Sequence, residues 1–355
     1  MKLISKKRIQ LRQNAIMRGI RRRHRIVRSR NMRNNSISAS YIRNNYKTSK
    51  NKNYQQRRYF VTAKLPDQFE ILNIEKSLEF INETFVTAQK QNALSIQFDL
   101  SNVTRIDMVA ICWLLSLINK LSTNGVNCYG NFPHDLDTME FVKESGFLNV
   151  MKSNLARASQ KNFQNQMYMI GKGHIDPTKL ARSVKESFSY LIGEEEHYPP
   201  VYDNLIEICA NSVEHANITP YDKNWLVSIS YNQDKVCFIL TDTGKGILST
   251  LKRKKAELFA DIVHFKQDTE MLRGVFEGAY QSQTGEINRH KGLPEVYESF
   301  TEGWISDLQV ITNCVLYNFE TKQKRILTNE FKGVMISWTL SKQNIEKWKR
   351  SLLEY

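Results

Sequence analysis

The sequence predicts an α/β protein with a basic arm, a small α/β unit and a second, larger α/β sandwich. Three observations lead there. Residues 1–58 hold 19 of the 51 Lys and Arg and no Asp or Glu, which leaves 32 basic against 36 acidic residues in the remainder. From Tyr59 onward, short runs that alternate like strands are separated by runs with helical spacing. Such interleaving is the pattern of layered α/β folds.

The net charge of +15 therefore belongs to the arm, and the body is mildly acidic. Residues 1–58 are rich in Arg, Lys, Asn and Ser, densest at Arg21-Arg22-Arg23-His24-Arg25 with Arg28, Arg30 and Arg33. Such a composition cannot bury a core, so the arm is expected to be disordered alone, with a helix over 4–30 forming on an anionic partner. It is either a solvated tail or a contact to a polyanion: nucleic acid, an anionic membrane surface or an acidic protein. A mitochondrial presequence shares this composition but fits the rest of the chain poorly. No recognised DNA-binding motif is visible.

The chain is long enough for two domains with real cores. A hydrophobic fraction of 41 % and a charged fraction of 25 % are those of soluble globular protein. No apolar run reaches the length of a membrane span, and the longest, Met108 to Leu117, reads as a buried helix. Cys112, Cys128, Cys209, Cys237 and Cys314 are scattered within apolar runs and lack metal-ligand spacing, so reduced core thiols and a cytoplasmic location are expected.

Residues 59–155 form the first unit. Tyr59–Lys64 reads as a strand, 68–90 as an amphipathic helix, and Leu94–Leu100 as a cleanly alternating strand. Asp107 precedes an apolar helix that runs to Leu121 and ends near Gly125; a strand over Asn127–Asn131, a helix over 136–145 and a closing segment Phe147–Val150 follow. Residues 156–176 are polar and read as a linker or exposed hairpin. The second unit spans 177–343: a helix over 180–192, a Pro199-Pro200 turn, a motif helix, strands near 226–231 and 235–241, a glycine turn, helical stretches around 256–264 and 269–280, and strands near 308–319 and 333–340. Residues 344–355 carry a last helix.

Two motifs carry chemistry. In Glu207-Ile-Cys-Ala-Asn211-Ser-Val-Glu-His215-Ala, apolar residues recur near the helical period, so Glu207, Asn211 and His215 stack on one stripe. A carboxylate orients or deprotonates a water, and an amide oxygen is a hard ligand suited to Mg²⁺. Thirty residues later, Asp242-Thr-Gly244-Lys-Gly246-Ile ends the apolar strand Val236–Thr241; its glycines allow a tight turn and close approach of N–H groups to an anion or a flat ring. Alone, each pattern is usually a solvated helix side or a plain turn. Their order, helix then strands then glycine turn, points to a nucleotide site.

The pair resembles the N-box and G1-box of the GHKL (Bergerat-fold) ATP-binding superfamily, and within it most closely the anti-sigma-factor serine kinases. The resemblance implies a Bergerat-type α/β sandwich that binds ATP with Mg²⁺. It implies that Glu207 activates water or a hydroxyl, that Asn211 holds Mg²⁺, and that Asp242 accepts from the adenine amino group beside Gly244 and Gly246. A third box after a mobile lid is expected at Arg289-His290-Lys291-Gly292-Leu293, with one glycine where many relatives have two. There Arg289, Lys291, Gly292 and Leu293 would meet phosphate, with Arg273 a further candidate; Lys252–Lys255 reads as a solvated face and Glu214 as helix surface.

The first unit resembles a STAS domain, the fold of anti-sigma-factor antagonists, over Phe98–Asp107 and Phe141–Val150. In those proteins the aspartate is followed by a phosphorylated serine, whereas Met108, Val109 and Ala110 follow Asp107 here, and Ser101 and Thr104 are the nearest hydroxyls. The resemblance implies a protein partner without the usual phospho-switch. Together these imply an ATPase acting as a nucleotide-dependent switch, a protein serine/threonine kinase acting on a separate partner, or a protein that binds ATP without turning it over.

Overall fold

A computed structural model describes residues 60–152, 166–172, 174–215, 224–258, 268–280 and 292–353, and the basic arm lies outside them. The protein is mixed α/β, and every described residue belongs to one compact unit.

The N-terminal layer is built on three parallel strands, β1 (Phe60–Lys64), β3 (Ser95–Asp99) and β5 (Asn127–Gly130), in the order β1-β3-β5. Parallel neighbours need crossovers. The helices α1 (Ile74–Lys90) and α2 (Met108–Thr123) supply them, and a small pair, β2 (Gln68–Phe69) with β4 (Arg105–Ile106), braces their entries. Asp107 caps α2: its Oδ1 accepts from Ala110 N at 2.7 Å and its Oδ2 from Ile71 N at 2.7 Å. Helices α3 (Leu136–Glu144) and α4 (Phe147–Lys152) complete the layer. Ser101 Oγ donates to Asp99 Oδ1 at 2.6 Å and, with Asn131, holds that half-buried carboxyl at about 2. Thr104 Oγ1 donates to Asp67 O at 3.1 Å. Both hydroxyls near Asp107 thus have protein partners.

The second sheet has five antiparallel strands in the order β6-β7-β8-β10-β9: β6 (Gln166–Lys172), β7 (Asn224–Asn232), β8 (Lys235–Asp242), β9 (Ser306–Asn318) and β10 (Lys324–Ser341). Strand β6 differs from the expected linker over 156–176. Tyr168 and Met169 are both buried, one in each of the two cores, so the strand lacks the polar alternation that marks a half-exposed one.

Period-two geometry sorts the side chains. On one face, Trp225, Val227, Phe238, Leu240, Ile336 and Trp338 pack with α5 (Pro177–Ile192), α6 (Pro199–His215), α8 (Asp268–Phe276), α9 (Gly292–Thr301) and α10 (Lys342–Ser351). On the other, Leu226, Ile239, Ile311 and Met335 join the core of the N-terminal layer. Helix α2 lies against β7 and β8 as well as β5, and α1 against β10. It is apolar nearly all round, with Ala110, Cys112, Trp113, Leu114, Leu115 and Ile118 at 1 % exposure or less. A helix of that kind belongs between two layers. Local signals set α5: Asp176 caps it, Pro177 opens it, and Gly193 ends it at φ 89°.

The cysteines are all free thiols, and burial pushes Cys112 up to about 12. No helix among the described residues is long and apolar enough to cross a membrane.

Candidate functional site

The first motif sits on the half-buried edge of α6. Its buried stripe is Val201, Asn204, Leu205, Ile208, Cys209 and Ser212. Glu207 and Asn211 lie beside that stripe and face α9 rather than open solvent. An added Cβ at Gly292 would stand 2.9 Å from Glu207 Oε2, 3.0 Å from Asn211 Nδ2 and 3.2 Å from Glu207 Cβ. Further along α9, Ser299 Oγ donates to Asn204 Oδ1 at 3.4 Å. The two helices therefore run antiparallel, and the missing side chain at Gly292 lets the start of α9 meet both motif residues. Leu293, next to it, is half-buried against the same core.

Asp242 ends β8 and is 8 % exposed. Its Oδ1 accepts from Gly244 N at 2.9 Å and Val334 N at 3.0 Å; its Oδ2 accepts from Ser212 Oγ at 3.0 Å. Ser212 follows Asn211, so one helix carries Glu207, Asn211 and the tether of Asp242. Burial pushes the Asp242 carboxyl above its ordinary value, and the donors from Gly244, Ser212 and Val334 offset part of that. A carboxyl raised in this way holds its proton more tightly folded than unfolded. Its contribution to stability is greatest below the unfolded value of 3.8 and declines as pH rises through the raised one. Asp242→Asn keeps the shape without the buried charge, so its melting temperature at about pH 7 should equal or exceed that of wild type. A fall of several degrees would show that the ionised group is a net stabiliser.

Beside this carboxylate lies a cavity of about 10 Å³, lined from α6 by Ile208, Cys209 and Ser212 and from the sheet by Trp225, Thr241 and Val334. That is room for about one water. Thr241 Oγ1 is buried without a hydrogen-bond partner among the described residues, on the strand face it shares with Leu226 and Met335. Trp225 pairs with Asp242 across β7 and β8 and covers Gly171, where an added Cβ would fall 2.0 Å from its ring.

The glycine turn leads directly into α7 (Ile247–Leu258), and residues 259–264 of the helix expected around 256–264 lie outside the described residues. Gly246 has φ 83°, which favours glycine. The expected open cradle of N–H groups differs from what is found. Gly244 N turns back to Asp242, Ile247 N donates to Thr312 Oγ1 at 2.9 Å, and Leu248 N and Ser249 N donate to Asn313 Oδ1 at 3.1 and 3.3 Å. Two polar residues of β9 thus satisfy the start of α7.

Arg289 and Lys291 lie outside the described residues, as does His290. Glu214 and His215 lie on the last turn of α6, and only their backbone is described. Lys252 pairs with Asp268 at 2.6 Å and Arg273 with Glu277 at 3.3 Å. Sequence reasoning missed Ser212, Thr312, Asn313 and Gly333. Only Gly333 left a signal: a glycine inside an apolar strand marks a bulge or a close backbone approach.

Comparison of the chain with protein-family models and with curated proteins finds no match.

Proposed function

We propose that this chain is a GHKL-type ATPase, a cytoplasmic nucleotide-dependent switch that binds ATP with Mg²⁺ and carries a STAS-like layer for a protein partner. One observation carries the reading: the two glycine segments and the motif helix converge. Gly292 touches Glu207 and Asn211, and Ser212 of the same helix holds Asp242. The chemistry follows from the residues. Glu207 positions or deprotonates the attacking water, and its half-buried place limits competing solvent. Asn211 would hold Mg²⁺ through its amide oxygen, and the metal would supply neutralisation of phosphate charge. Asp242 accepts from the amino group of the base. The engaged hydroxyls of Ser101 and Thr104 leave the N-terminal layer without a ready phosphate acceptor near Asp107, which favours a switch over a kinase, whose substrate would then be a separate partner.

Purified chain with γ-labelled ATP and Mg²⁺ is the test. Free phosphate release should fall by about 10²-fold or more in Glu207→Ala and in Asn211→Ala. Label transferred to an added protein, without free phosphate, would replace this reading by the kinase. Failure to bind ATP would remove both.

A further inference from the structure

Asn313 has φ 52°, a left-handed conformation in the middle of β9, and its side chain is 5 % exposed. Such strain in a non-glycine residue persists only where the surroundings fix it. The amide does more than cap α7. Its Nδ2 lies within hydrogen-bond distance of Lys245 O at 2.9 Å, Ser249 Oγ at 2.7 Å and Glu330 Oε1 at 3.1 Å. Glu330 belongs to the irregular stretch of β10 that has no paired partner on β9 between Ile326 and Phe331, the first of two successive register shifts, the second running from Phe331 to Val334. The same stretch is gripped from the other side by α1. Glu75 Oε1 accepts from Thr328 N at 3.0 Å, and Oε2 from Thr328 Oγ1 at 2.7 Å and Asn329 N at 3.0 Å; Asn82 Nδ2 donates to Glu330 O at 2.8 Å.

We propose that residues 328–331 are a strut between α1 and the glycine turn, so that the grip of Glu75 and Asn82 sets how readily the first turn of α7 opens. The path is short and polar: α1 to the β10 stretch, Glu330 to Asn313, Asn313 to Leu248 N, Ser249 N and Lys245 O. A stretch with interrupted ladder pairing is held by its side-chain ties more than by its neighbours, so loosening one end frees the other. Whatever binds the outer surface of α1 would thereby act on the turn that follows Asp242. The strut is a property of the chain itself, independent of which ligand Asp242 takes.

Amide hydrogen exchange on the full chain, without ligand, tests it. In Glu75→Ala, exchange at Leu248 and Ser249 should rise by about threefold or more, while amides within α5 keep their wild-type rates. Glu330→Ala should give the same rise, and the double variant no further one, because both changes cut a single path. Faster exchange confined to 328–331 and α1 would overturn the proposal, and so would a uniform rise that includes α5. Should Glu75→Ala fail to fold, Glu75→Gln, which keeps an acceptor for Thr328 N, carries the same comparison with a smaller rise.

Discussion

Replacing Gly333 by alanine is expected to lower stability by about 4 kcal/mol or more, enough to move the melting temperature by roughly 10 °C in a chain of this size. The new Cβ would lie 2.1 Å from the carbonyl oxygen of Asp242 and 2.9 Å from its carbonyl carbon. Both are backbone atoms, so no rotamer change relieves the overlap. The residue also has φ 139°, where side chains are strained whatever the space. Relief requires either straightening the irregular stretch of β10 or parting it from β8. Either movement withdraws Val334 N from Asp242 Oδ1, so the site is lost with the fold. Thermal unfolding followed by circular dichroism reads the effect, and a shift under about 2 °C would mean that the two strands do not approach as described.

Gly292→Ala should spare the fold and cost activity. Its Cβ would meet mostly the polar ends of side chains, Glu207 Oε2 at 2.9 Å and Asn211 Nδ2 at 3.0 Å, and these can swing aside. An alanine in a helix is itself favourable by up to about 1 kcal/mol over glycine, so the melting temperature should scarcely change. The cost falls on geometry. Moving a carboxylate and its neighbouring amide by about 1 Å can cost about 10²-fold in rate. We expect ATP turnover to drop by that order while the fold survives. Turnover at the wild-type level would show that the start of α9 does not shape the reacting site, and would weaken the assignment of Glu207 and Asn211.

These two glycines also show what the sequence made legible. Gly292 stood in a motif, after a polar stretch and before a helix, and the expectation there was contact with phosphate; its close approach to Glu207 and Asn211 of α6 was not foreseen. The helical spacing around Leu205 and Cys209 and the apolar run before Asp242 located α6 and β8 because burial there is one-sided or complete, and both leave a periodic trace. Residues 166–172 left none, since a strand buried on both faces and bordered by polar residues resembles any short apolar run. Asn313 was illegible for another reason. Its role depends on a left-handed backbone and on partners 64 to 68 residues earlier and 17 later, and no local pattern encodes that. The turn after Asp242 looked open in sequence because the groups that close it arrive from a distant strand.

The position of α2 has a consequence for how the chain is made. The helix ends at Thr123, but β7, one of the surfaces that cover it, begins only at Asn224. At roughly 5–20 residues per second of synthesis, its outer face waits roughly 5–20 s for a partner. During that interval a ribosome displays Trp113 and its apolar neighbours to the surrounding solution. Birth of this protein is thus a period of stickiness, and its yield in a cell should depend on what shelters that helix until the sheet is complete.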